Sequence, residues 1–216
     1  MGSYKYILLW LWAGVLPLCS TAQILSRGVS AVENQKELKG KIYALVVGIS
    51  DYQNPAITDL KYADRDAQAF ADYLLDPNGV GVDTQNLELL LNEKASAGNV
   101  IMSMYPLLDQ IKEGDLFIFY FSGHGDLETK TISQPGFLLC WDAPPAVYMS
   151  GGTFGLIYLQ EIISTLSTQN KAKVLMITDA CRSGKLAGNA VGGSQLTSMN
   201  LAKQFANELK IFILPT

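Results

Sequence analysis

Short, uninterrupted apolar runs recur along this chain, and they limit what it can fold into. Ile42-Tyr43-Ala44-Leu45-Val46-Val47-Gly48-Ile49, Phe117-Ile118-Phe119-Tyr120-Phe121 and Val174-Leu175-Met176-Ile177 lack the alternation of a half-solvated strand. Runs of this kind suit central strands of a parallel sheet covered on both faces. Helical spacing lies between them. Tyr62 to Leu75 places Ala63, Ala67, Phe70, Ala71 and Leu74 on one helical face, and Leu156 to Leu166 does so with Leu159, Ile162, Ile163 and Leu166. Asn99 to Ile111 has the same spacing, with Pro106 inside it to kink or interrupt the helix. Leu87 to Leu91 reads as a second strand, Asp115 to Phe121 as a third that ends at His124, and Gly136 to Trp141 as part of a side hairpin. Val174 to Asp179 reads as a fourth strand, Leu201 to Leu209 as a helix and Lys210 to Leu214 as a fifth strand. The fold class expected from this alternation is α/β, a three-layer α/β/α sandwich around a mostly parallel sheet.

Two of the apolar runs lead into residues that can carry chemistry. The run ending at Ile177 opens into Thr178-Asp179-Ala180-Cys181-Arg182-Ser183-Gly184, and the run ending at Phe121 opens into Ser122-Gly123-His124-Gly125. His124 is the single histidine of the chain. Open α/β folds place their chemistry at the carboxyl ends of the strands, so Cys181 and His124 are expected to meet there as a nucleophile and its base. A thiol of ordinary pKa, about 8.5, is mostly protonated at neutral pH and needs such a neighbour. Imidazole suits both the removal of that proton and its later delivery to a leaving amine.

These two motifs, in this order, resemble those of the caspase/metacaspase family of cysteine peptidases (peptidase C14) in its bacterial form. The known signature pairs a Cys segment with a His about 50 residues upstream, and Cys181 follows His124 at a comparable separation. The resemblance covers about Lys41 to Leu214 and implies a caspase-hemoglobinase fold. It implies a Cys181/His124 dyad in a cysteine endopeptidase, with an oxyanion hole from the backbone N–H groups of Gly125 and Cys181. It also implies substrate contacts at Ser122, Asp66 and Asp179. True caspases have Gln two residues before the cysteine, in a pocket for substrate Asp, whereas this chain has Asp179. In metacaspases the matching Asp joins another near the start of the first helix in an acidic pocket for Arg or Lys. Leu60-Lys61-Tyr62-Ala63-Asp64-Arg65-Asp66-Ala67 aligns Asp66 to that second position, with Asp64 as the alternative. Cleavage after Arg or Lys is therefore expected. No cofactor is required by the resemblance. Calcium activates metacaspases, but no ligand run of the EF-hand type is present, so no metal ligand is assigned.

The 216 residues suit one domain, with 49% hydrophobic content to fill its core. A net charge of −4 without a basic block argues against a nucleic-acid partner and agrees with a basic peptide substrate. Lys5, the apolar run Ile7 to Leu18 and the small residues Ser20 and Ala22 read as a signal peptide over residues 1–22, cleaved before Gln23. Its apolar core is shorter than the ~20 residues of a membrane span, so an uncleaved anchor is the weaker reading. Lipidation at Cys19 is weaker still, because bulky Leu18 precedes it. The protein is accordingly expected outside the cytoplasm, periplasmic or extracellular. Residues 23–40 read as a linker and 41–216 as the catalytic (p20-type) domain. Cys140 and Cys181 are expected as free thiols, Cys140 in a packing role.

Lys185 to Asn200 has the composition of a mobile loop, and in the family this stretch is often where the precursor is cut. A smaller part that completes the sheet and the pocket follows the fifth strand in the family. This chain ends at Thr216 and is expected to lack that part. The alternative reading is therefore a truncated or inactive homologue that acts as a binding or regulatory module, or that needs a partner chain.

Overall fold

The computed structural model describes residues 40–182. The expected signal peptide, nearly all of the linker, the Lys185 to Asn200 loop, the last helix and the fifth strand lie outside the described residues.

The sheet is built on β1 (Ile42–Gly48) and β3 (Leu116–Leu127), which run parallel from Ile42 opposite Leu116 to Gly48 opposite Ser122. β2 (Leu87–Leu91) adds to the outer side of β1, and β6 (Lys173–Arg182) lies along the other side of β3, both parallel. Beyond the end of β1, β3 takes a new neighbour. β4 (Gly136–Leu139) pairs antiparallel with Gly125–Leu127, and β5 (Thr153–Gly155) pairs antiparallel with β4. Among the described residues, four parallel strands in the order β2-β1-β3-β6 thus carry a small antiparallel hairpin at their carboxyl edge.

Helices cover both faces, as each central strand is apolar on both sides. α1 (Ala63–Leu75) places Ala67, Ala71 and Leu74 on Ala44 and Val46 of β1 and Ile118 and Tyr120 of β3. On the other face Leu45, Val47, Phe117, Phe119 and Phe121 meet Val100 and Met104 of α2 (Ala97–Met104) and Leu159, Ile162 and Ile163 of α4 (Leu156–Ser164). Phe117, Phe119 and Phe121 are essentially fully buried, and each contributes about 2 kcal/mol of transfer free energy. The three-layer α/β/α arrangement is the expected one.

The helix expected over Asn99 to Ile111 is broken where Pro106 stands, into α2 and the single turn α3 (Leu107–Gln110). Proline lacks the N–H that would continue the ladder. At the start of α2, Ser96 caps Asn99 N–H and the Asp142 carboxylate accepts from Ala97 N–H. A correction applies to the third and fourth strands. The motif Ser122-Gly123-His124-Gly125 does not follow β3 but lies inside it, and Asp179 to Cys181 lies inside β6. Both strands continue because each has a partner there: β6 pairs with β3 as far as Gly125, and β4 takes over where β1 stops. Sheet pairing overrides the weak strand propensity of the glycines.

Candidate active site

His124 and Cys181 are direct partners across the β3–β6 ladder, the pair next to Gly125 and Arg182. The two motifs, far apart in sequence, are therefore neighbours at the carboxyl edge of the sheet, on two adjacent parallel strands.

The imidazole of His124 is held from several directions. It is 4% exposed, and its ring lies 5.1 Å, centroid to centroid, from the ring of Tyr52. The Tyr52 hydroxyl accepts the backbone N–H of His124 at 2.8 Å and reaches the Leu139 carbonyl at 3.4 Å. Burial raises the Tyr52 phenol well above the ordinary tyrosine value, so it stays neutral as donor and acceptor. Gly123 makes this approach possible. A Cβ on it would stand 3.0 Å from the Phe121 ring and 3.1 Å from the Tyr52 oxygen.

The ring nitrogens have different surroundings. Nε2 lies 2.6 Å from the backbone carbonyl oxygen of Thr58. A carbonyl accepts only, so this contact places a proton on Nε2, and in the neutral ring the lone pair is then on Nδ1. Nδ1 is buried and has no hydrogen-bond partner among the described residues. Thr58 is positioned by the loop between β1 and α1, which closes on itself. Leu60 N–H donates to the Ser50 carbonyl, Tyr52 N–H to the Asp59 carboxylate and Ile57 N–H to the Asn54 carbonyl. Ile57, 2% exposed, pins the loop into the core. Thr58 and Tyr52 were not among the sequence candidates. A backbone carbonyl acceptor carries no side-chain signature, and a tyrosine in a polar loop gives no periodic signal.

The expected substrate residues gather on the α1 face of the same edge. Ser122 pairs with Asp179 across the ladder, two positions beyond the pair Tyr120–Ile177 and so on the same face. Asp179 is exposed, whereas Ser122 is buried at 2% exposure. Asp66 is exposed in the first turn of α1. Both carboxylates act on the Tyr120 phenol: burial raises its pKa most, Ser122 offsets part of the rise, and the charges of Asp179 and Asp66 add to it. Asp66 and Asp179 thus share one neighbourhood.

Asp64, the alternative, is engaged elsewhere. Its carboxylate accepts from the Ser50 hydroxyl at 2.7 Å and from the Asn92 amide at 3.3 Å, while Asn92 Oδ1 accepts the N–H groups of Ser50 and Asp51. These bonds, that of Ser50 foremost, hold Asp64 below the ordinary carboxylate range. The carboxylate ties the end of β1 to the start of α1. Gly125, expected to serve the oxyanion, lies within the sheet between Leu138 of β4 and Arg182 of β6. Cys140 is a free, fully buried thiol whose pKa is raised by burial, in keeping with packing. Among the described residues no cluster of three His, Cys, Asp or Glu side chains is placed to hold a metal ion, and no helix is long and apolar enough to cross a membrane.

A doubly covered, mostly parallel sheet with a buried histidine facing a cysteine position at its carboxyl edge defines a caspase-like α/β protein. The chain belongs to the caspase domain family of peptidases, which matches residues 41–211. A curated relative, a probable protease from a Desulfuromonadales bacterium, is 27% identical over 154 residues, which is 65% of this chain and 18% of that protein. A crystal structure of a protein from Geobacter sulfurreducens superposes with a TM-score of 0.52 at 16% identity, covering 81% of this chain and 58% of that one. At that identity the likeness is one of fold. The chain spans less than a fifth of the curated relative's length and little more than half of the solved protein's.

Proposed function

We propose that this chain is a cysteine endopeptidase that cleaves after Arg or Lys, with Cys181 as nucleophile and His124 as base and acid. The observation that carries this reading is the state of His124, whose Nε2 is tied to the Thr58 carbonyl while buried Nδ1 keeps its lone pair, opposite Cys181 in the ladder. In this reading Nδ1 takes the proton from the Cys181 thiol, and the thiolate attacks the scissile carbonyl carbon. The carbonyl π pair moves onto oxygen, and the N–H groups of Gly125 and Cys181, assigned by resemblance, stabilise that charge. Collapse of the intermediate expels the amine, which leaves with the proton from Nδ1. Water, deprotonated at Nδ1, then hydrolyses the thioester and restores the thiol. The Thr58 carbonyl stabilises the imidazolium formed in between, as a fixed acceptor for its Nε2–H.

The preference for a basic residue is supported by Asp66 and Asp179 on one side of the edge, neither of them in an ion pair among the described residues. Charge-assisted bonds to two carboxylates discriminate in favour of guanidinium or ammonium. No cofactor is part of this reading. We also propose export through residues 1–22, which N-terminal sequencing of the protein secreted by a host would test by finding Gln23 first.

The deciding experiment is hydrolysis of fluorogenic peptides ending in Arg, Lys or Asp, by the protein from Gln23 onward, beside Cys181→Ala, with and without calcium. Turnover after Arg or Lys that vanishes in Cys181→Ala is the expected result. Cleavage after Asp alone overturns the acidic pocket and keeps the dyad. No turnover by a folded protein favours the regulatory module or a chain that needs a partner.

A further inference from the structure

On the α1 side of the sheet an apolar layer meets a polar one, and Tyr120 stands at the boundary. Its ring packs in the layer of Ala44, Val46, Ile118, Ala67 and Ala71, and stacks on Phe70 with centroids 4.7 Å apart and planes at 27°. Tyr120 is 8% exposed. Two residues nearer the carboxyl edge, the next position on this face, the apolar layer ends, at Ser122 on β3 and Asp179 on β6. On α1 the same step leads from Phe70 to Asp66, four residues earlier and so on the same helical face. The Phe70–Tyr120 stack therefore lies directly beneath the two carboxylates. A buried tyrosine directs its hydroxyl to polar surroundings, and the polar residues next along the same strand face and helix face are Ser122, Asp179 and Asp66.

We propose that Tyr120 is the floor of the acidic pocket and that its hydroxyl sets a preference for Arg over Lys. This rests on the reading that Asp66 and Asp179 receive a basic side chain. Guanidinium carries five N–H donors in a rigid fork, whereas ammonium carries three on a shorter reach. Two carboxylates at an open rim leave inner donors of the guanidinium without acceptors. The phenol oxygen below them, neutral because burial and both carboxylates oppose its ionisation, supplies one. The Lys ammonium stops at the carboxylates and gains less from the floor. Tyr120 is thus a specificity-determining residue, with no part in bond making or breaking.

The test is Tyr120→Phe, which keeps the ring on Phe70 and removes only the oxygen. Steady-state kinetics on matched peptides ending in Arg and in Lys should show kcat/KM for Arg falling about tenfold, the loss of one hydrogen bond to a charged group, through KM. The Lys peptide should change less than about twofold, so the Arg/Lys ratio falls. Partial unfolding lowers both substrates alike and leaves that ratio unmoved. A parallel readout needs no turnover: anisotropy of a labelled peptide ending in Arg, bound to Cys181→Ala with and without Tyr120→Phe, should show the same loss of affinity. An unchanged ratio in a wild-type enzyme that cleaves after basic residues overturns the inference and leaves the proposed function standing. A wild-type protein that neither cleaves nor binds basic peptides overturns both.

Discussion

The Nε2 of His124 lies 2.6 Å from the carbonyl oxygen of Thr58, a contact between the carboxyl edge of the sheet and a loop 66 residues earlier. It gives the imidazole one tautomer, and the self-bonded loop from Ser50 to Leu60 maintains it. The backbone thus orients the ring in the way that a carboxylate does in a catalytic triad.

Tyr52 supports the histidine from the other side, and its hydroxyl is the partner of a buried backbone N–H. Tyr52→Phe should leave that N–H without an acceptor and cost about 1–3 kcal/mol of stability. Thermal unfolding measures the loss. With the strand around His124 loosened, kcat should fall about tenfold with KM little changed if His124 is the base proposed above, because substrate binding is not disturbed.

Gly48 ends β1 where α1 begins to cross it. A Cβ there would collide with the Ala67 side chain and stand 2.6 Å from the Ala63 carbonyl oxygen, both on α1. Gly48→Ala should push the first turn of the helix off the sheet at a cost of about 1–3 kcal/mol. Urea unfolding checks the stability. Under the proposed function the KM for basic peptides should rise as well, since Asp66 rides on that turn.

Asp115 closes the opposite edge. Its carboxylate accepts the N–H groups of Lys41 and Lys112, each at 2.8 Å, and it is 7% exposed. Asp115→Ala leaves both donors unpaired and should cost about 2–4 kcal/mol, while Asp115→Asn, which keeps one acceptor oxygen, should cost about half as much. Kinetic constants of the folded fraction should not move, because the residue lies at the amino end of β3. Unfolding curves beside active-site titration separate the two effects.

Asp64 makes stability depend on pH. Its bonds to Ser50 and Asn92 favour the carboxylate in the folded state, so its folded pKa lies below its unfolded one. The resulting stabilisation is complete above the ordinary aspartate value of about 3.9 and is lost as pH falls through the folded value. The stability gap between wild type and Asp64→Asn should be widest near about pH 6 and narrow steadily towards about pH 2. A gap that grows on acidification would contradict the assigned bonds.

The elements that position the site were legible wherever burial alone decides the outcome. β1, β2 and α1 lie within a residue of their expected bounds, and the break at Pro106 occurs as the missing N–H requires. The ends of β3 and β6 were not legible. Ser122 to Leu127 contains two glycines and polar residues that read locally as a turn, yet it is strand because β4 and β6 flank it.

By itself, the order of apolar runs and helical faces determined the three layers, and the two motifs that follow apolar runs determined the family. Both follow from short-range rules, in which periodicity reports which side of an element is buried and residue type reports which chemistry is available. Tertiary structure alone decided that Nε2 of His124 faces the Thr58 carbonyl, that Asp64 binds Ser50 while Asp66 faces solvent, and that Tyr120 lies on the same sheet face as Ser122 and Asp179, further from the carboxyl edge. Each depends on a backbone carbonyl, a loop closure or a cross-strand register, all fixed by contacts between residues remote in the chain, and no local residue pattern encodes them.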